Sequence, residues 1–236
     1  MSRFRIASVL IGLALVSLLA VDCFAQGDDR AKLEKKIESL MNRVREKEKE
    51  FLSPSAEDRA AFAEFLRQPD TGIIRLLPRE KYDGKLLVRG GGAYYSFARL
   101  VHEYGYGSDI ELQREYFSVG FAGADYGFLV NLGNTPVESI SVEHPGVKYL
   151  AEYTAPSKEP EAREQHRRGY PGFDVDGFTY ASRTPALTNT TYAVRSISYE
   201  DSDVLIAFRV VRQDTDGSMI LLWKILKKFP TPHLER

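Results

Sequence analysis

From residue 73 onward, short runs that are apolar, or that alternate apolar and polar residues, are separated by turn-forming residues. This pattern constrains the fold more than any other feature of the sequence. The runs occupy residues 73–77, 85–89, 110–119, 128–131, 139–142, 147–153, 192–199, 204–212 and 218–228. They do not alternate regularly with helical segments, which disfavours a doubly wound parallel sheet. We therefore predict an α+β fold that is mainly antiparallel β, a sandwich or an open barrel, preceded by two N-terminal helices.

Residues 1–25 have the pattern of a secretory signal peptide. Arg3 and Arg5 supply the positive region, residues 6–21 are almost entirely apolar, and Cys23 and Ala25 are the small residues expected before a cleavage site. The apolar run is short of the ~20 residues that span a bilayer, although an uncleaved membrane anchor is the alternative. We predict cleavage after Ala25 and export to the periplasm or the extracellular space.

Charge and cysteine content exclude several classes of function. The 236 residues include 32 Lys and Arg and 33 Asp and Glu, so no net field gathers nucleic acid, and we predict no nucleic-acid partner. The single cysteine, Cys23, lies in the predicted signal peptide. The mature chain would then have no disulfide, no thiolate nucleophile and no cysteine metal ligand.

Residues 26–52 predict a charged amphipathic helix. They contain no proline and only one glycine, at their N-terminal end, and apolar residues recur at alternating steps of four and three. Lys47 interrupts a stripe made of Leu33, Ile37, Leu40, Val44 and Phe51. One interpretation is a homodimer formed through Leu33, Ile37, Leu40 and Val44. The interpretation that we favour is a helix that docks on its own domain, or a solvated spacer from the membrane.

A second helix is predicted to begin after residues 53–55. Ser55 is suited to cap it and Asp58 to complete a capping box, while residues 68–72 end it. Residues 53–236 would form a single β-rich domain. Residues 157–172 are rich in charge, and we interpret them as a surface excursion with one or two helical turns between Pro160 and Gly169.

Sequence motifs for metal binding, nucleophilic catalysis and nucleotide binding are absent or incomplete. The four histidines have no metal-ligand spacing, no G-x-S-x-G nucleophile motif occurs, and the glycine triplet at 90–92 lacks the residues of a nucleotide-binding loop. We predict no catalytic residue, no metal and no cofactor. The sequences D-x-D-G at 174–177 and 214–217 predict hairpin turns, and a two-residue loop at 216–217 would place Val210 opposite Trp223 on a core face.

The segment 82–127 has an unusual composition, with seven of the 13 tyrosines and nine of the 18 glycines. Tyrosine has a rigid apolar body and a polar tip, which suits the binding of sugars, peptides or partner surfaces. We predict a ligand site at Tyr94, Tyr95, Tyr104 and Tyr106, with residues 93–104 as a strand. The alternative is a core layer in which these rings are buried.

The sequence leaves three functions open. The first is an exported, non-enzymatic binding or structural module of the cell envelope or extracellular space, with an unidentified ligand or protein partner. The second is a hydrolase of envelope polymers or sugars that uses carboxylates such as Asp109, Glu111 or Asp125. The third is an assembly protein that dimerises through the first helix.

Overall fold

The computed structural model describes residues 29–105, 107–120 and 125–235. The chain divides into two units between Lys47 and Glu48. Within the described ranges the fold mixes helices with two antiparallel sheets, which do not close into a barrel. The predicted signal peptide, residues 1–25, lies outside these ranges. In the described part of the chain, no helix combines the length and the apolar composition needed to cross a membrane.

Six α-helices and eleven strands occur in the described ranges. The helices are α1 (29–52), α2 (Ala56–Ala61), α3 (Ala63–Leu66), α4 (Arg79–Tyr82), α5 (Pro145–Glu152) and α6 (Glu159–Gly169). The strands are β1 (Thr71–Leu76), β2 (Tyr94–Tyr95), β3 (Ile110–Gln113), β4 (Tyr116–Ser118), β5 (Asp125–Asn131), β6 (Phe173–Val175), β7 (Phe178–Ala181), β8 (Arg183–Pro185), β9 (Thr191–Ser198), β10 (Ser202–Gln213) and β11 (Met219–Lys228). The large sheet has the order β1-β11-β10-β9-β5-β7-β6, and the small sheet has the order β2-β3-β4-β8.

The start of α2 confirms the predicted capping box. The Ser55 hydroxyl oxygen accepts the Asp58 N–H at 3.0 Å, and the Asp58 carboxylate accepts the Ser55 N–H at 3.2 Å. These reciprocal bonds satisfy two backbone donors that the helix would otherwise leave unpaired. Phe65 on the following helix is buried, with Phe62 and Leu66 packed partly beside it.

The large sheet is buried on both faces because two apolar layers enclose it. All eight residues of β9 are buried. Val194 and Tyr192 join a core shared by the two sheets, here called the intersheet core, whereas Ala193 and Ile197 join a core covered by α3, α5 and α6, here called the helix-side core. The alternation follows from the two-residue period of a strand. Strand β9 is therefore buried along its whole length.

The β10–β11 hairpin has the predicted faces but not the predicted pairing. Trp223 is buried in the intersheet core as expected, yet it lies opposite Phe208, two positions away from Val210. A two-residue type I′ loop needs positive φ at both central residues, and only Gly217 has it, at 86°. The turn therefore extends from Asp214 to Ser218. Between Ile206 and Val210 the pairing is shifted by two residues from the prediction, which keeps these side chains on the predicted faces.

The other D-x-D-G sequence does form a two-residue hairpin. Asp176 and Gly177 have φ of 51° and 83°, and Val175 pairs with Phe178 across them. This arrangement confirms the predicted turn and accounts for the motif without calcium.

Several predicted strands are wrong. Residues 147–153 lie mainly in α5, where Pro145 starts the helix and the His144 ring Nδ1 accepts the Gly146 N–H at 3.2 Å. Residues 85–89 and 139–142 form no strand, and in 93–104 only Tyr94–Tyr95 is a strand. Positive φ at Arg114 and Glu115 breaks the run 110–119 into β3 and β4.

The charged excursion at 157–172 is a longer helix than predicted. Helix α6 has eleven residues, begins around Pro160 and ends at Gly169. Ala162 is buried in the helix-side core, and Gly169 lies against Phe128, where a Cβ would come within 3.1 Å of the ring. Charge thus covers the outer face of a helix whose small residues contact the sheet.

Candidate functional site

Of the four predicted site tyrosines, the three that the structure describes do not form an exposed platform. Tyr94 and Tyr95 are only 1% and 6% exposed, and Tyr104 is half-buried with its ring 4.7 Å from that of Tyr94. Tyr106 lies outside the described residues. The burial of Tyr94 and Tyr95 favours a packing role for both rings. Ligand binding by this group remains a prediction.

The Tyr94 hydroxyl is held in a polar network. It donates to a Glu111 carboxylate oxygen that also accepts from Arg79 at 3.0 Å. Burial raises the pKa of Tyr94 well above its ordinary value, with the neighbouring Glu111 acting in the same direction. Burial also raises the pKa of Tyr95, to about 12. Both phenols therefore stay protonated and act as fixed neutral groups.

The glycine triplet beside these rings is required by packing. Its three residues have φ of 82°, 63° and 78°, a region that favours glycine. A Cβ on Gly91 would lie 2.3 Å from the Tyr82 backbone, and one on Gly92 would lie 2.3 Å from Leu52. Close approach of other chain segments therefore explains these glycines without a bound ligand.

Asp109 is a buried carboxyl that organises the loop after β2. Its Oδ2 accepts the N–H groups of Phe97 at 2.6 Å and Ala98 at 3.3 Å, and the Ser96 hydroxyl lies 3.4 Å away. Removal from water raises the pKa of Asp109 to about 6. Burial lowers the pKa of nearby His102 to about 4, and its Nδ1 lies 3.2 Å from the Tyr94 carbonyl oxygen.

The three carboxylates considered for hydrolysis have separate surroundings. Asp109 binds the loop after β2, Glu111 binds Arg79 and Tyr94, and Asp125 at the start of β5 lines a cavity. Asp109 and Glu111 therefore have different hydrogen-bond partners, and Asp125 lies on another strand. The hydrolase hypothesis thus gains no support from their arrangement.

A cavity of about 590 Å³ lies between α6, the start of β5 and the C-terminal segment, and it is here called the α6 cavity. Its lining consists of Asp125, Tyr126, Glu159, Ala162, Arg163, His166, Arg167, Tyr199 and Leu234. The sequence does not predict this cavity. Its residues come from four segments, and their convergence carries no local sequence signal.

The inner part of the α6 cavity is mainly apolar. Tyr126 and Tyr199 are buried, and both hydroxyls are already engaged. The Tyr126 hydroxyl lies 2.8 Å from that of Tyr153, and the Tyr199 hydroxyl donates to the Pro156 carbonyl oxygen at 2.6 Å. Both tyrosine hydroxyls are thus already hydrogen-bonded, and Ala162 adds a methyl group to the lining.

The rim of the α6 cavity carries two arginines and a histidine along one side of α6. Arg163, His166 and Arg167 share a helix face because they are three and four residues apart, and all three are exposed. Arg163 Nε donates to Glu159 at 2.9 Å, and Arg167 pairs with Glu164. Exposed pairs of this kind contribute about 0–1 kcal/mol, so a bound anion can replace them at little cost.

Neither a metal site among the described residues nor a similarity to a known protein indicates the function. Among the described residues, no group of three or more His, Cys, Asp or Glu side chains is placed to hold a metal ion. The chain matches no protein-family model, no curated protein sequence and no solved structure.

Proposed function

We propose that the protein is an exported, non-enzymatic binding module whose small-molecule ligand occupies the α6 cavity. The observation that carries this proposal is a cavity of about 590 Å³ with buried tyrosines inside and arginines at its rim. Small-molecule sites usually have volumes of ~300–1,000 Å³, an apolar lining and a few placed polar groups. We interpret the two sheets, which share the intersheet core, as a sandwich that supports the cavity.

The ligand class that fits is an amphiphilic anion, with an aromatic or aliphatic body and a carboxylate, sulfonate or phosphate group. The body would lie against Tyr126 and Tyr199, where it replaces water on apolar surface. Buried Asp125 disfavours a second negative charge deep in the cavity. The anionic group would therefore stay at the rim, within reach of Arg163 and Arg167.

The binding proposal predicts a charge-dependent affinity for 8-anilinonaphthalene-1-sulfonate. In a fluorescence titration, the double variant Arg163→Gln/Arg167→Gln should bind about three- to tenfold more weakly than the wild type. Each exposed ion pair with the ligand contributes about 0–1 kcal/mol, and about 1.4 kcal/mol corresponds to tenfold. The substitution Ala162→Phe should abolish binding because the larger ring occupies the cavity.

The matched control for this titration is Arg59→Gln/Arg67→Gln. It removes the same charge from two exposed positions on α2 and directly after α3. Its affinity should equal that of the wild type, and thermal unfolding should show that every variant is folded. Binding that survives both Ala162→Phe and the α6 double variant would contradict the proposed site.

Export predicts a mature N-terminus at Gln26. The apolar run 6–21 and the small residues Cys23 and Ala25 support this prediction. Intact-mass measurement of the protein recovered from the exported fraction should give the chain that begins at Gln26. Ala25→Tyr should block processing because the position before the cut requires a small residue. A wild-type protein that retains Met1 would indicate a membrane-anchored form.

A further inference from the structure

Helix α1 presents an exposed apolar seam over residues 33–44. The exposed fractions of its four side chains are 60% for Leu33, 57% for Ile37, 49% for Leu40 and 45% for Val44. Isolated exposed apolar residues are common, but four of them aligned on one helix face form a continuous surface. Such a surface is typical of a helix that has a partner.

The spacing of the seam indicates what kind of partner fits. Leu33 and Leu40 are seven residues apart, and so are Ile37 and Val44, which gives an apolar period of 3.5 residues. This period produces the narrow stripe of a left-handed coiled coil, whereas a helix that packs on a domain usually has a broader apolar face. The partner of this seam is therefore another helix with the same repeat.

The residue types select the number and direction of the helices. With the heptad positions labelled a to g, Ile37 and Val44 occupy a, and Leu33 and Leu40 occupy d. In parallel coiled coils, β-branched residues at a combined with leucine at d favour two strands. Lys47 occupies the next d position, where a charged side chain ends the apolar seam and disfavours larger assemblies.

We propose that the seams of two copies of this chain form a parallel, in-register, two-stranded coiled coil. A second copy is the occupant that the sequence itself supplies, because in-register pairing places each seam residue against its own equivalent. The result is four matched layers, Leu33, Ile37, Leu40 and Val44. With only four layers the dimer dissociates on dilution. This inference is independent of the α6 cavity.

Sedimentation equilibrium of the chain beginning at Gln26 tests the assembly. The weight-average mass of the wild type should rise with concentration from the monomer toward twice that value. The variant Ile37→Glu/Leu40→Glu should remain monomeric at every concentration, since it places carboxylates in two adjacent layers. Its matched control, Ser39→Glu/Asn42→Glu, adds the same charge at positions outside the seam and should dimerise like the wild type.

Cysteine crosslinking tests direction and register. The chain beginning at Gln26 lacks Cys23, the only cysteine of the sequence, so an introduced thiol is unique. Oxidised Val44→Cys should give a covalent dimer because equivalent a positions face each other in a parallel pair. Asn42→Cys, on the outer face of the helix, should stay monomeric in the same oxidation.

Three results would overturn the proposal. A wild type that is monomeric at all concentrations excludes the dimer. A dimer that persists in Ile37→Glu/Leu40→Glu assigns assembly to another surface. Crosslinking of Asn42→Cys as fast as Val44→Cys excludes the parallel, in-register arrangement. Circular dichroism and thermal unfolding of each variant establish that the helix and the β-rich unit are retained.

Discussion

Replacing Arg195 with methionine should lower the free energy of unfolding by about 3–5 kcal/mol. Arg195 and Asp203 are both buried, and Arg195 Nε and one terminal nitrogen bind the two carboxylate oxygens at 2.9 and 2.8 Å. Methionine would leave the Asp203 charge buried without its partner. The cost of an uncompensated buried charge accounts for the size of the effect.

The same arginine also ties α5 to the large sheet. Its remaining terminal nitrogen donates to the carbonyl oxygen of Leu150 at 2.7 Å and to that of Tyr153. These carbonyls belong to the C-terminal end of α5, where the helix offers them no backbone donor. Arg195 thus provides the donor for two carbonyl oxygens at the helix end. Its removal takes that donor away, and this cost adds to the cost of leaving Asp203 unpaired.

Urea denaturation measures this prediction, with two reference variants. Arg163→Met removes an exposed arginine and should change the free energy of unfolding by less than about 0.5 kcal/mol. Arg195→Met/Asp203→Leu removes both buried charges and should recover part of the loss. A loss below about 1 kcal/mol for Arg195→Met would show that solvent reaches Asp203 and that the pair is not an interior ion pair.

The C-terminal half of the large sheet could be predicted because its signals are local and long. Residues 191–228 combine sustained strand runs with short connections, and the buried face of Trp223 follows from alternation alone. The register could not be predicted, since the turn depends on distant partners. The Asp216 carboxylate accepts hydrogen bonds from Arg75 at 2.7 Å and from Tyr82 at 2.9 Å. These bonds stabilise a loop that is longer than the two-residue turn favoured by Asp216-Gly217.

Short segments were misassigned where tertiary contacts decide between helix and strand. Residues 147–153 contain apolar and aromatic residues that suit either structure. Burial of Val147 and Leu150, three residues apart on one helix face, explains why α5 forms there. The α6 cavity could not be predicted from the sequence for a related reason, because Tyr126, Tyr199 and Leu234 come together only in the folded chain. The tyrosine-rich segment stood out by composition, but its composition carries no information on burial.

The stability of the protein between pH 4 and 6.5 should depend in opposite directions on Asp109 and His102. The folded state raises the pKa of Asp109 from 3.8 to about 6, mainly through burial. Its contribution is therefore fully present below pH 3.8 and is lost as the pH rises through 6, a difference of roughly 3 kcal/mol. The folded state lowers the pKa of His102 from 6.5 to about 4. Its contribution is present above pH 6.5 and is lost as the pH falls through 4.

Single substitutions should separate the two groups, which partly cancel in the wild type. Relative to Asp109→Asn, which keeps an acceptor for the Phe97 N–H without titrating, the wild type should lose roughly 2–3 kcal/mol between pH 4 and 6.5. Relative to His102→Asn, the wild type should gain about 2 kcal/mol over the same range, less than for Asp109 because solvent reaches part of the ring. Comparing variants removes the contribution of all other titrating groups. Urea denaturation at several pH values measures both differences. Parallel pH profiles for the wild type and Asp109→Asn would show that the carboxyl keeps an ordinary pKa, and hence that water reaches it inside the loop.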